Sequence, residues 1–116
     1  MKKYIGKCHC GKIEFEVEMD ISSPLICNCS HCEVKGLILS FTEKKNFKLI
    51  KGEESISEYL FNKKVIHHKF CNTCGVEPFA FGKGHTGVET VAINLRTIKD
   101  IDINSLTPRL FDGKNI

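Results

Sequence analysis

No stretch of this sequence approaches the ~18 consecutive apolar residues of a membrane-spanning helix, so the chain is expected not to cross a bilayer as a helix. The basic start Met1-Lys2-Lys3-Tyr4-Ile5-Gly6-Lys7 lacks the apolar segment that would follow it in a secretory signal. Charge of one sign is never gathered into a block. Lys and Arg number 17 against 14 Asp and Glu, and the formal charge of +3 is spread along the chain. That pattern speaks against nucleic acid as a partner and for a solvated, slightly basic surface. The eight Phe and two Tyr lie in strand-like patterns without interleaved basic residues, which argues the same way. Repeats and low-complexity segments are also missing. A soluble, cytoplasmic protein is expected, in a compartment that keeps thiols reduced.

What is present fits one compact domain spanning 1–116, with 41% apolar residues. A domain of this size gains only moderate stability from burial, so a bound metal would add usefully to it. The clearest element is Lys12 to Met19, where Ile13, Phe15, Val17 and Met19 alternate with Glu14, Glu16 and Glu18. Period two predicts a half-buried strand. Further strands are expected at Tyr4–Cys8, Leu25–Asn28, Leu37–Thr42, Phe47–Ile50, Ile56–Phe61, Val65–Phe70, Glu77–Phe81 and Val88–Leu95. Turn signals separate them, among them Gly11, Gly52, Asn62, Gly75 and the stretch Gly82 to Gly87. Helix is expected only at Ser30 to Gly36, with Ser30 as the cap. Short, closely spaced strands with little helix predict a mainly β domain of small antiparallel sheets. The tail from Thr97 to Ile116 is less regular and is expected to wrap the surface.

Seven cysteines is an odd number, which a fully paired disulfide framework cannot use. In Cys8-His9-Cys10-Gly11 the two thiols share one side of an extended strand and can reach one ion. Cys71-Asn72-Thr73-Cys74-Gly75 has zinc-knuckle spacing, with a glycine free to take positive φ. Joined, the two pairs make a four-cysteine site that staples the start of the chain to its middle. Cys27-Asn28-Cys29-Ser30-His31-Cys32 offers three thiols and no fourth. Three protein ligands with one exchangeable position mark a catalytic zinc. A thiol arriving at such a position loses its proton near neutral pH. Two zinc ions per chain are therefore expected.

Blander arrangements of the same residues exist. The four cysteines of the first set can be reduced, metal-free core residues. The three-cysteine cluster can be closed by a histidine as a purely structural site, with His31, His9, His67, His68 and His85 as candidates. His67 and His68 face opposite ways if their segment is a strand, so at most one of them reaches any given site.

Three ordered motifs, Gly6-x-Cys8-x-Cys10-Gly11, Cys27-x-Cys29-Ser30-x-Cys32 and Phe70-Cys71-x-x-Cys74-Gly75, resemble the glutathione-dependent formaldehyde-activating enzyme, or centromere protein V, domain family. Val91-Ala92-Ile93-Asn94-Leu95 through Phe111-Asp112-Gly113-Lys114-Asn115 is similar to the closing part of those domains. The resemblance implies a β-tent built of small antiparallel sheets around zinc. It implies Cys8, Cys10, Cys71 and Cys74 as structural ligands and Cys27, Cys29 and Cys32 as the catalytic ones. It also implies condensation of glutathione with formaldehyde, a carbon–sulfur lyase reaction written in reverse. One departure is visible: Glu33-Val34-Lys35 follows the third cysteine, where many members carry basic residues. Lys35, Lys69 and Arg96 are the candidates for holding the carboxylates of glutathione.

Two functions fit these residues. One is a zinc enzyme joining a small thiol such as glutathione to formaldehyde or a related aldehyde at Cys27, Cys29 and Cys32. The other is a non-enzymatic zinc module that binds a protein partner or carries glutathione. A methionine sulfoxide reductase fits poorly, because such an enzyme needs a redox cysteine outside the zinc set and no cysteine follows Cys74.

Overall fold

Alternation of apolar and acidic residues decides the first sheet. In β2 (Glu14–Met19) the side chains of Phe15, Val17 and Met19 are fully buried. Glu14 and Glu16 turn the other way and pair with Lys7 and Lys3 of β1 (Lys2–Lys7) at 3.7 and 3.8 Å. Such exposed pairs contribute only about 0–1 kcal/mol each, so burial of the apolar face is the stronger force. β1 and β5 (Phe47–Lys51) flank β2 on its two edges, both antiparallel to it. The computed structural model describes residues 1–61, 65–84 and 86–115; the expected turn at Asn62, the candidate ligand His85 and the final Ile116 lie outside the described residues.

The second sheet has seven strands among the described residues. Across the sheet they run β10 (Arg109–Phe111), β3 (Leu25–Cys27), β4 (Leu39–Glu43), β9 (Glu89–Asn94), β8 (Phe79–Lys83), β7 (His67–Cys71) and β6 (Ile56–Tyr59). Every pairing is antiparallel except β10 on β3. The tail, expected to be less regular and to wrap the surface, is exposed there but contributes one paired strand. Arg109–Phe111 adds a strand at the sheet edge, opposite Leu25–Cys27. Its three residues are all exposed, so no alternation announced it.

The two sheets close on one core in which Phe15 and Phe47 stack, with ring centroids 5.6 Å apart, and Phe79 meets both edge-on. Val91, Ile93, Leu95, Ile13 and Ile38 fill the rest, and Cys8 and Cys71 belong to the same cluster. Each large side chain buried here stabilises the fold by about 1.5–3 kcal/mol relative to exposure. A smaller cluster of Leu25, Leu37, Leu39 and Cys32 lies under the other cysteine segment. β9 stops at Asn94, whose side chain accepts from the Arg96 N–H and opens a 3-10 turn over Leu95–Thr97.

α1 (Ser30–Lys35) forms within the expected Ser30 to Gly36 stretch, but Ser30 is not its cap. The cap is Cys29, in extended conformation, whose sulfur accepts the N–H of Cys32 at 3.4 Å. A thiol takes the place the hydroxyl was expected to hold. Gly36 ends the helix in the left-handed region.

Candidate functional site

The first cysteine cluster is built from two short loops of related geometry. Beyond β1, Gly11 takes φ +81° and donates its N–H to the Cys8 carbonyl at 3.1 Å. Beyond β7, Gly75 takes φ +81° and donates to the Cys71 carbonyl at 2.8 Å. These are conformations that a side chain would strain. The N–H groups of Ile13, Thr73 and Cys74 point at sulfur, the first at Cys8 and the others at Cys71, over 3.3–3.5 Å. Lys12 Nζ donates to Thr73 Oγ1 at 3.1 Å and ties one loop to the other. The four sulfurs of Cys8, Cys10, Cys71 and Cys74 all lie within 4.8 Å of one another. Two of their separations, Cys8 to Cys10 and Cys10 to Cys71, are 3.6 Å.

That spacing is too long for a disulfide and close to the ~3.8 Å between sulfurs in a tetrahedron with ~2.3 Å zinc–sulfur bonds. All seven cysteines are free thiols. Crowding splits their acidities. Burial works against ionisation of Cys74, but the N–H groups of Cys10 and Val76 and the Cys71 thiol outweigh it and bring its pKa down to about 6. For Cys10 the Lys12 N–H favours the thiolate, yet desolvation and the neighbouring thiols of Cys71, Cys8 and Cys74 push it up to about 11. A divalent cation among the four removes that conflict by making every thiolate favourable. The donor set fits zinc.

The second cluster sits where β3 ends and α1 begins. Cys27, Cys29 and Cys32 bring their sulfurs within 4.8 Å of one another. The N–H of Cys29 points at the Cys27 sulfur and that of Cys32 at the Cys29 sulfur, both at 3.4 Å. Burial, with Cys29 and Cys27 beside it, raises the Cys32 thiol far above its usual range. Burial opposes ionisation of Cys29 too, but the Cys32 N–H and the adjoining thiols outweigh it and lower its pKa. Among the described residues no fourth cysteine, histidine or carboxylate joins the three sulfurs. This donor set also fits zinc, with three ligands.

The tail closes over this cluster, a role its sequence pattern did not suggest. The Asn28 N–H donates to the Phe111 carbonyl at 3.2 Å. The Asn28 side chain donates to Asp112 Oδ1 and accepts from the Lys114 N–H, both at 2.9 Å. Gly113 then passes so near that a Cβ there would lie 2.5 Å from the Cys27 sulfur.

The described histidines go elsewhere. His67 is exposed and bound to Glu58, which also takes the Lys69 ammonium at 2.9 Å. The side chains of His31 and His68 are buried side by side, ring centroids 3.9 Å apart, and meet at Glu77. His68 Nδ1 hydrogen-bonds Glu77 Oε2 at 3.1 Å, and Lys35 Nζ donates to Glu77 Oε1 at 3.0 Å. His31 Nε2 lies 3.1 Å from Glu77 Oε1, and its Nδ1 has no partner among the described residues. Burial opposes ionisation of Glu77, yet His68 and Lys35 hold its carboxyl below the ordinary range. Burial lowers the His31 pKa, with Glu77 acting against it. Sequence spacing gave no hint of this trio. One signal existed: Glu77 is an acidic residue inside the apolar run from Val76 to Phe81.

Beside the trio opens a cavity of about 450 Å³, lined by Lys7, His9, Lys35, Glu77, Asn94 and Arg96 among others. Two of the three cations expected to meet a substrate carboxylate, Lys35 and Arg96, share it. Lys69 lies outside it, beside Phe79 and Phe81 in a separate hollow.

Residues 3–110 match the model of a family described as the glutathione-dependent formaldehyde-activating enzyme. The fold is also similar to a crystal structure of a Rhodobacter sphaeroides protein determined in a structural genomics programme. The TM-score is 0.82 and the identity 26%, over 94% of this chain and 98% of that one.

Proposed function

Because the chain belongs to the glutathione-dependent formaldehyde-activating enzyme family, we propose that it is a zinc-dependent enzyme of the carbon–sulfur lyase type, joining glutathione or another small thiol to formaldehyde or a related aldehyde. The observation that carries this reading is the convergence of the Cys27, Cys29 and Cys32 sulfurs with no fourth ligand among the described residues. Zinc held by those three would stabilise the thiolate of an incoming thiol at neutral pH.

The overall step balances without any redox partner. A sulfur–carbon bond forms, the carbonyl π bond breaks, and the proton released by the thiol ends on the new hydroxyl oxygen. The chain's own contribution is placement. Backbone N–H groups of Cys29 and Cys32 hold two of the three sulfurs in position. Asn28, clamped by Phe111, Asp112 and Lys114, fixes the loop that carries them. Lys35 and Arg96 supply the positive charge that the carboxylates of glutathione require.

Cys8, Cys10, Cys71 and Cys74 would hold a second, structural zinc, joining residues 61 positions apart in sequence. Production of S-hydroxymethylglutathione from glutathione and formaldehyde tests the reading. Activity in the zinc-loaded protein that disappears in Cys29→Ser, with the fold intact, supports it. A zinc-loaded, folded protein that leaves the spontaneous rate unchanged with glutathione and other small thiols would favour the module that binds without chemistry.

A further inference from the structure

The geometry points to a third metal site, formed by His31, His68 and Glu77 and suited to a divalent first-row transition metal. One ligand atom from each residue lies within 4.8 Å of the others. Both histidine–glutamate separations are 3.1 Å, near the ~3 Å between adjacent donors of a metal bound at 2.0–2.1 Å. Two imidazoles and one carboxylate form a ligand set used by iron, zinc and related ions. The cluster shares no ligand with either cysteine site.

An independent observation also points to a ligand. The side chains of His31 and His68 are each only 6% exposed, and among the described residues His31 Nδ1 and His68 Nε2 have no hydrogen-bond partner, while His31 Nε2 has only its 3.1 Å contact with Glu77 Oε1. Leaving a buried polar atom unsatisfied costs about 1–3 kcal/mol, so two in one spot is an unfavourable arrangement unless something binds there. A purely structural network would not need two histidines on one carboxylate already served by Lys35. The aromatic rings of Tyr59 and Phe61 stack against His31. The Lys35 ammonium stands 3.0 Å from Glu77 Oε1 as a cation already in place. Its side chain is one-third exposed, so it can swing into solvent when a metal takes over the carboxylate.

Lys35 therefore gives the sharpest test, because it competes with the metal. Apoprotein kept reduced under nitrogen is titrated with cobalt(II), and bound metal is counted after desalting. Wild type should bind three ions per chain, two with intense sulfur-to-cobalt absorption and a third without it. His68→Gln and Glu77→Gln should each bind two, with the sulfur absorption unchanged. Lys35→Met should hold the third ion at least about tenfold more tightly, an outcome a structural Lys35–Glu77 pair would not produce. Should the histidine and glutamate variants fail to fold, the Lys35→Met arm still decides. Saturation of wild type at two ions, both with sulfur absorption, would overturn the proposal, as would unchanged metal affinity in Lys35→Met. If wild type binds two ions and only one shows sulfur absorption, this site is filled and the three-cysteine site is not. That result would contradict the proposed function and leave this inference standing.

Discussion

Cys29 carries three tasks in one side chain. It belongs to the three-sulfur cluster, caps α1 by accepting the Cys32 N–H, and donates its own N–H to the Cys27 sulfur. Serine keeps a capping acceptor, since hydroxyls cap helices well, but replaces a thiolate ligand. Cys29→Ser should therefore lower thiol-dependent activity to the uncatalysed background and release one zinc, with far-UV circular dichroism unchanged. Loss of the whole fold would assign the cluster a structural task instead. Gly113 offers a subtler probe. A methyl group there must displace the Cys27 sulfur from 2.5 Å, and overpacking of this kind costs about 1–3 kcal/mol. Gly113→Ala should weaken metal at the three-cysteine site, seen as faster transfer to a chelator, while the four-cysteine site keeps its ion. Equal loss from both sites would contradict the contact.

At the scale of elements, the tail and the cysteine loop form one unit. Removing the Asn28 side chain deletes two hydrogen bonds, each worth about 0.5–1.5 kcal/mol net, both of them to the tail. Asn28→Ala should raise hydrogen exchange across Phe111–Lys114 well before it changes exchange in β2 or β9. Uniform change would mean that the tail is not a separate unit. Such coupling also shows what could be read in the sequence. The Ile13–Met19 alternation announced β2, because one face meets the core and the other meets water. The cysteine sets were legible because metal chelation by a loop is local, over two or three residues. β10 was not, since Arg109–Phe111 buries no face and gains its place from backbone pairing with Leu25–Cys27. Ser30 looked like the cap because sulfur is an uncommon one. His31, His68 and Glu77 come from α1, β7 and the loop before β8, a convergence only the folded chain creates.

Across the whole molecule, acid should act through two kinds of group. The Glu77 carboxyl is held below its ordinary value of 4.5 in the folded chain. A lowered folded pKa stabilises the protein above the unfolded value, and that contribution fades as pH falls through the folded one. Glu77→Gln should thus reduce stability at neutral pH and flatten its fall below about 4.5 in denaturant titrations. An unchanged acid limb would mean that the carboxylate is not the group involved. Thiolates that hold zinc must take up protons to release it, so mild acid should also free metal. No helix among the described residues is long and apolar enough to cross a membrane.

The proposed chemistry requires that a thiol from outside the chain complete the ligand set of Cys27, Cys29 and Cys32. X-ray absorption at the zinc edge measures that directly, on protein loaded with two equivalents of zinc. Seven sulfur ligands shared by two zincs should become eight on adding glutathione, and Cys29→Ser should abolish the gain. A sulfur count that glutathione leaves unchanged would contradict it.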